Sequence, residues 1–128
     1  MTGTRIALAG MVLTRSCRPV PNVLLDLWQA DARGVYDNKG FRLRGHQFSD
    51  ARGCYRFETV VPGRYPGRTP HLHLRVQAKG RPILTTQLYF PDEAGNARDG
   101  LFDPALLMRT QAAASGVEAQ YDFVLAIR

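Results

Sequence analysis

A chain of 128 residues is long enough for one domain and too short for two, so residues 1–128 are read as a single domain. Hydrophobic residues make up 45% and charged residues 22%, a globular balance that excludes a disordered chain, and no apolar run reaches the ~18 residues of a membrane span. The net charge is +6, but 15 of the 17 basic residues are Arg scattered from Arg5 to Arg128, with no run or stripe that would mark a nucleic-acid surface.

Residues 1–10 carry one Arg and a short apolar run, without the h-region and cleavage site of a signal peptide. A cytoplasmic protein is therefore expected. Cys17 and Cys54 have no CxxC spacing and read as free thiols in or near the core. The apolar run Val23–Trp28 reads as a strand between the turn signals Pro21-Asn22 and Asp31-Ala32-Arg33-Gly34. Residues 33–49 show little periodicity and are expected to form a long loop. Tyr55–Val60 alternates apolar and polar residues between Asp50-Ala51-Arg52-Gly53 and Pro62-Gly63, as a half-buried strand does. Leu84–Phe90 and Tyr121–Ile127 are further β-rich runs. Asp103 is expected to cap a short helix, with Pro104 at its first position, Ala105–Ser115 as its body and Gly116 as its stop. The sum is an all-β fold: an antiparallel β-sandwich with one short C-terminal helix.

The sharpest chemical signal is Pro70-His71-Leu72-His73-Leu74-Arg75-Val76. On a strand, His71 and His73 share one face while Leu72, Leu74 and Val76 share the other. Two such imidazoles can converge on one metal ion, although a bare HxH is more often a pair of hydrogen-bonded histidines. A third ligand is needed, and the only other histidine is His46. A cupin would place Glu three or four residues after the pair, where Val76 and Gln77 stand. Tyrosine offers another donor, because a phenolate is a hard anionic oxygen whose pKa falls beside a metal ion. Tyr36 and Tyr65 both lie in turn-rich segments.

The motifs Trp28-Gln29-Ala30 and Tyr36-Asp37-Asn38-Lys39-Gly40 stand in the first part of the chain. Pro62-Gly63-Arg64-Tyr65-Pro66, then Arg68-Thr69-Pro70-His71-Leu72-His73, then Thr86-Gln87-Leu88-Tyr89-Phe90-Pro91 follow in order. From about Gly10 onward this pattern resembles the intradiol ring-cleavage dioxygenases. The resemblance implies a mononuclear non-haem Fe(III) held by Tyr36, Tyr65, His71 and His73, with hydroxide or water completing the set. It implies axial places for Tyr65 and His73 and equatorial places for Tyr36 and His71. Three positive charges against two phenolates and one hydroxide sum to zero, which suits a buried site. It further implies that Tyr65 leaves the metal and accepts a substrate proton. Arg68 would stabilise developing negative charge, and Gln87 would hydrogen-bond near the reacting oxygens. The implied reaction is cleavage of a catechol between its hydroxyl carbons with O2, giving a muconate-type diacid.

Two positions depart from the pattern, as does the start of the chain. Gly67 stands where the protocatechuate-type enzymes place a bulky aromatic, His46 stands where that group tends to have Arg, and the chain opens almost directly on its first core strand. An open pocket with broad catechol tolerance is expected, closed if at all by a homo-oligomer. No nucleic-acid or membrane partner is expected. Two rival readings are a catalytically weak metal-binding sandwich that binds aromatic ligands, and a nucleic-acid-binding barrel prompted by charge alone.

Overall fold

The computed structural model describes residues 4–29, 44–63, 68–91, 93–114 and 116–127. Tyr36, Tyr65 and Gly67 lie outside these residues. The described strands are β1 (Arg5–Leu13), β2 (Leu24–Trp28), β3 (Arg44–Phe48), β4 (Cys54–Val60), β5 (His71–Gln77), β6 (Leu84–Tyr89), β7 (Arg109–Ala113), β8 (Gly116–Gln120) and β9 (Phe123–Val124). One sheet runs β4-β1-β8-β7 with β9 added beside β1, and the other runs β3-β2-β5-β6. Pairing is antiparallel except where β8 and β9 lie parallel to β1. The fold is an all-β sandwich.

Alternation places the core. Ile6, Leu8, Val12, Tyr55, Phe57 and Ala119 of the first sheet cluster with Leu25, Leu27, Leu72, Leu74, Val76 and Leu88 of the second. Leu8, Leu25, Leu72, Leu74 and Leu88 have no exposed surface. Each such side chain contributes about 1.5–3 kcal/mol on burial, so the apolar face of each strand decides which way the strand turns.

Three expectations are corrected. The helix over Ala105–Ser115 does not form. Asp103 does cap, accepting from the Ala105 amide at 2.9 Å, but only a 3-10 turn over Pro104–Leu106 follows. Leu107 is extended, and the Met108 amide donates to the Tyr89 carbonyl at 2.9 Å rather than continuing a helix. The chain then pairs as β7 against β8, so sheet pairing overrides the helix propensity of the alanines. Gly116 is not a helix stop but the first residue of β8, where φ is +148° and a Cβ would lie 2.2 Å from the Arg5 carbonyl oxygen. The expected loop over 33–49 contains β3 at its end, while residues 30–43 lie outside those described. Of the two free thiols, Cys54 is half-buried but Cys17 is exposed, on a turn with φ +62°.

No helix among the described residues is long and apolar enough to cross a membrane. At Gly10 the backbone of β1 meets the chain leaving β8, and a Cβ there would sit 1.8 Å from the Tyr121 carbonyl oxygen and 2.9 Å from the Tyr55 ring. Gly10→Ala is therefore expected to cost about 2 kcal/mol or more of stability in urea unfolding. Gly45→Ala, with nothing among the described residues within 4 Å of its added Cβ, should change stability by less than about 0.5 kcal/mol.

Candidate metal centre

Strand β5 builds the site by turning two faces to two environments. Leu72, Leu74 and Val76 enter the core, and His71, His73 and Arg75 point to the outer face of the second sheet. Register supplies the neighbours. Trp28 of β2 and Gln87 of β6 stand directly across from His73, and Tyr89 stands across from His71. Directly opposite residues share a face, so these side chains surround the histidine pair.

His71 is buried and its Nδ1 lies 2.7 Å from the Thr69 carbonyl oxygen. A carbonyl can only accept, so Nδ1 carries the proton and donates. The Nε2 lone pair is thereby turned toward His73, whose Nε2 is 3.0 Å away. The two rings meet nearly edge to face, at 81°. His73 is oriented differently: it lies flat against the Trp28 indole, with centroids 5.0 Å apart and planes 5° apart. The Arg75 guanidinium also rests over the indole, at 5.0 Å.

Burial lowers the pKa of both histidines. For His71 desolvation leads, the bond to Thr69 opposes it, and the charge of Arg68 adds to it. For His73, desolvation, then His71, then Arg68 bring the value down to about 4. Both imidazoles are neutral at neutral pH, the state in which they ligate metals. Two nitrogens bound to one cation at about 2.1 Å and at roughly right angles lie about 3.0 Å apart. The observed Nε2–Nε2 separation has that value, so the pair fits a shared metal ion. Among the described residues no group of three or more His, Cys, Asp or Glu side chains is placed to hold a metal. His46 lies on β3, paired with Asp26 of β2, and its side chain is exposed.

Arg68 sits beside the pair. Its Nε–H donates to Asp99 Oδ2 at 2.7 Å, and its Nη2 donates to Gln87 Oε1 and, at 3.4 Å, reaches the Tyr89 hydroxyl. The Tyr89 hydroxyl also lies 2.8 Å from Gln87 Oε1. With its oxygen held by these donors, the Gln87 amide keeps its N–H groups as donors. Burial pushes the Asp99 carboxyl up, but hydrogen bonds from Arg68, Leu101 and Thr69 outweigh it and hold it below the usual carboxylate range. The structure thus brings Arg68, His71, His73 and Gln87 together. Trp28, Tyr89 and Asp99 join them without having been singled out by residue type. Trp28 and Tyr89 lie inside motifs that already carried the resemblance, whereas Asp99-Gly100 reads in the sequence only as a turn dipeptide.

The chain matches the family model described as Dioxygenase over residues 1–126. It belongs to the intradiol ring-cleavage dioxygenase family. The protocatechuate 3,4-dioxygenase beta chain of Burkholderia cepacia is 36% identical over 118 residues, covering 78% of this chain and 50% of its own. Among solved structures, the dioxygenase domain of a dioxygenase carbohydrate-binding protein fusion from Streptomyces sp. SirexAA-E is 54% identical. It superposes with a TM-score of 0.97 over 99% of this chain and 82% of that one. The 3-chlorocatechol 1,2-dioxygenase of Rhodococcus opacus 1CP is 30% identical, with a TM-score of 0.85 over 99% of this chain and 62% of that one. The chain spans half the length of that protocatechuate beta chain and 42% of the catechol 1,2-dioxygenase of Acinetobacter baylyi.

The low His73 pKa has a direct consequence for the metal-free protein. Between pH about 4 and 6.5 the unfolded chain binds a proton that native His73 does not. This group therefore makes the native state less stable as pH falls through that window, and its effect levels off below about 4. Ring resonances of His73 in NMR should titrate near pH 4. A titration near 6.5 would contradict the desolvated, neutral pair.

Proposed function

We propose that this chain is a non-haem Fe(III) dioxygenase that cleaves a catechol between its two hydroxyl carbons with O2 and yields a muconate-type diacid. The observation that carries the reading is the His71–His73 pair: two neutral imidazoles with Nε2 atoms 3.0 Å apart, one of them locked in tautomer by Thr69. Its support from relatives is that those matched are catechol, protocatechuate and hydroxyquinol dioxygenases. Tyr36 and Tyr65 complete the ligand set as phenolates in this reading, and the 128 residues act as one domain. Bound ferric iron supplies an electron-withdrawing centre that renders a chelated catecholate reactive toward O2.

The chain's own residues then divide the work. His71 and His73 present neutral nitrogen donors, His71 held by Thr69 and His73 stacked on Trp28. Tyr36 stays a permanent phenolate. The Tyr65 oxygen takes one of the two catechol protons as the substrate binds, which makes Tyr65 both ligand and base. Arg68, with a side chain only 18% exposed, holds a fixed positive charge where negative charge builds on the substrate as the ring opens. Gln87 donates its amide N–H toward the reacting oxygens while Arg68 and Tyr89 occupy its carbonyl.

Iron content, electron paramagnetic resonance and product analysis test this together. As purified, the protein should hold close to one high-spin ferric ion per chain and show a visible phenolate charge-transfer band. It should convert a catechol to a cis,cis-diacid. Tyr65→Phe should keep iron but lose turnover by about 10²-fold. Tyr36→Phe should lose more iron, and His71→Ala or His73→Ala most of it. Full zinc occupancy with no ferric signal would refute the metal, and a yellow semialdehyde product would refute the regiochemistry. Ferric iron with no diacid from any catechol would mark a binding module instead.

A further inference from the structure

We infer that Asp99 is a positioning residue of this site: one buried carboxylate holds both the Arg68 guanidinium and, through the Thr69 peptide, the His71 ring. The inference rests on the roles proposed above for Arg68 and His71. The Asp99 side chain has no exposed surface. Its Oδ2 accepts from Arg68 Nε–H at 2.7 Å and from the Thr69 amide at 3.0 Å, and its Oδ1 accepts from the Leu101 amide at 2.9 Å. Thr69 is the shared link. Its amide is fixed by Asp99, its hydroxyl donates to Asn96 Oδ1 at 2.8 Å, and its carbonyl receives the His71 Nδ1–H at 2.7 Å. Asp99 and Asn96 reach Thr69 from one place, the 3-10 segment Ala94–Arg98 and the residue that ends it. Asn96 is itself anchored to the Phe90 carbonyl at 2.8 Å, just past the end of β6.

This arrangement solves a problem that Arg68 poses. An arginine side chain has many rotamers and would sample several positions at the edge of a site. A displacement of ~1 Å of a group acting on a reaction can cost ~10²-fold in rate. The Asp99 contact uses the Nε edge of the guanidinium, and the Gln87 contact uses Nη2, so the plane is fixed at two points. Because the same carboxylate oxygen also holds the Thr69 amide, the guanidinium and the imidazole cannot shift independently.

The first measurement needs neither metal nor turnover. In metal-free protein, proton–nitrogen NMR should show the Arg68 Nε–H exchanging with water ~100-fold or more slowly than the Nε–H of exposed arginines. Asp99→Asn should bring the Arg68 Nε–H to the exposed rate and speed exchange at His71 Nδ1–H. If that variant does not fold, Asp99→Glu, which keeps the charge but displaces both hydrogen bonds, should speed both by ~10-fold. Unchanged protection in the folded variants overturns the inference.

The second measurement uses iron-loaded protein and chemical rescue. Arg68→Ala should lower kcat by ~10²-fold, and added guanidinium ion should recover ~10-fold of that loss. In Arg68→Ala combined with Asp99→Asn, guanidinium should recover nothing, while KM for the catechol stays within ~2-fold of the single variant. Equal rescue in the two proteins, or rescue in neither, overturns the inference. Failure of the functional reading would look different: the unmodified protein would form no diacid, and the NMR result would stand by itself.

Discussion

The two-residue alternation of β5 is the constraint on which the site depends. Leu72, Leu74 and Val76 are completely or almost completely buried. Together they contribute several kcal/mol to one orientation of the strand. A slip of one residue would send His71, His73 and Arg75 into the core and expose those three apolar side chains. No polar contact in the site needs to set the register, because the opposite face already does. Pairing with β2 and β6 then brings Trp28, Gln87 and Tyr89 beside the histidines as a consequence.

The same sheet face has to bury polar groups, and it does so with partners in place. His71, Thr69, Asn96 and Asp99 are all buried, and every one of them has a hydrogen bond. Removing one partner of a buried charge pair typically costs about 3–5 kcal/mol, whereas an exposed pair is worth about 0–1. Arg68–Asp99 belongs to the first class and the exposed Arg56–Glu58 pair to the second. The charges that matter for the fold and those that matter for the site are thus the same few. The desolvation that makes this pairing necessary also keeps both histidines neutral.

Two glutamines tie the sheets together at β4. Gln47 of β3 accepts from the Arg56 amide at 2.6 Å and donates back to the Arg56 carbonyl, which satisfies backbone groups on the edge of β4. Buried Gln29, just after β2, donates to the Val60 carbonyl at 2.6 Å and accepts from the Thr59 hydroxyl at 2.8 Å. Both clips run from the sheet that carries the site to the one that does not. A neutral amide can both donate and accept, so each clip satisfies two groups without placing a charge between the sheets.

Local pattern was enough to read the strands whose own residues decide their fate. Val23–Trp28, Tyr55–Val60, the histidine strand and Leu84–Phe90 match observed strands to within a residue or so, because alternation and flanking turn residues are local. The shared face of His71 and His73 was legible for the same reason. The segment after Asp103 was not, since its alanines favour a helix and only pairing with β8 makes them a strand. Asp99 was hidden too. It lies 31 residues from Arg68 in the chain, in a turn that looks ordinary, and only the return of the chain past the end of β6 brings its carboxylate to the guanidinium. Residue order determined which side chains each strand presents. Tertiary structure decided which buried charges meet, because burial and hydrogen bonding act between segments that no sequence spacing relates.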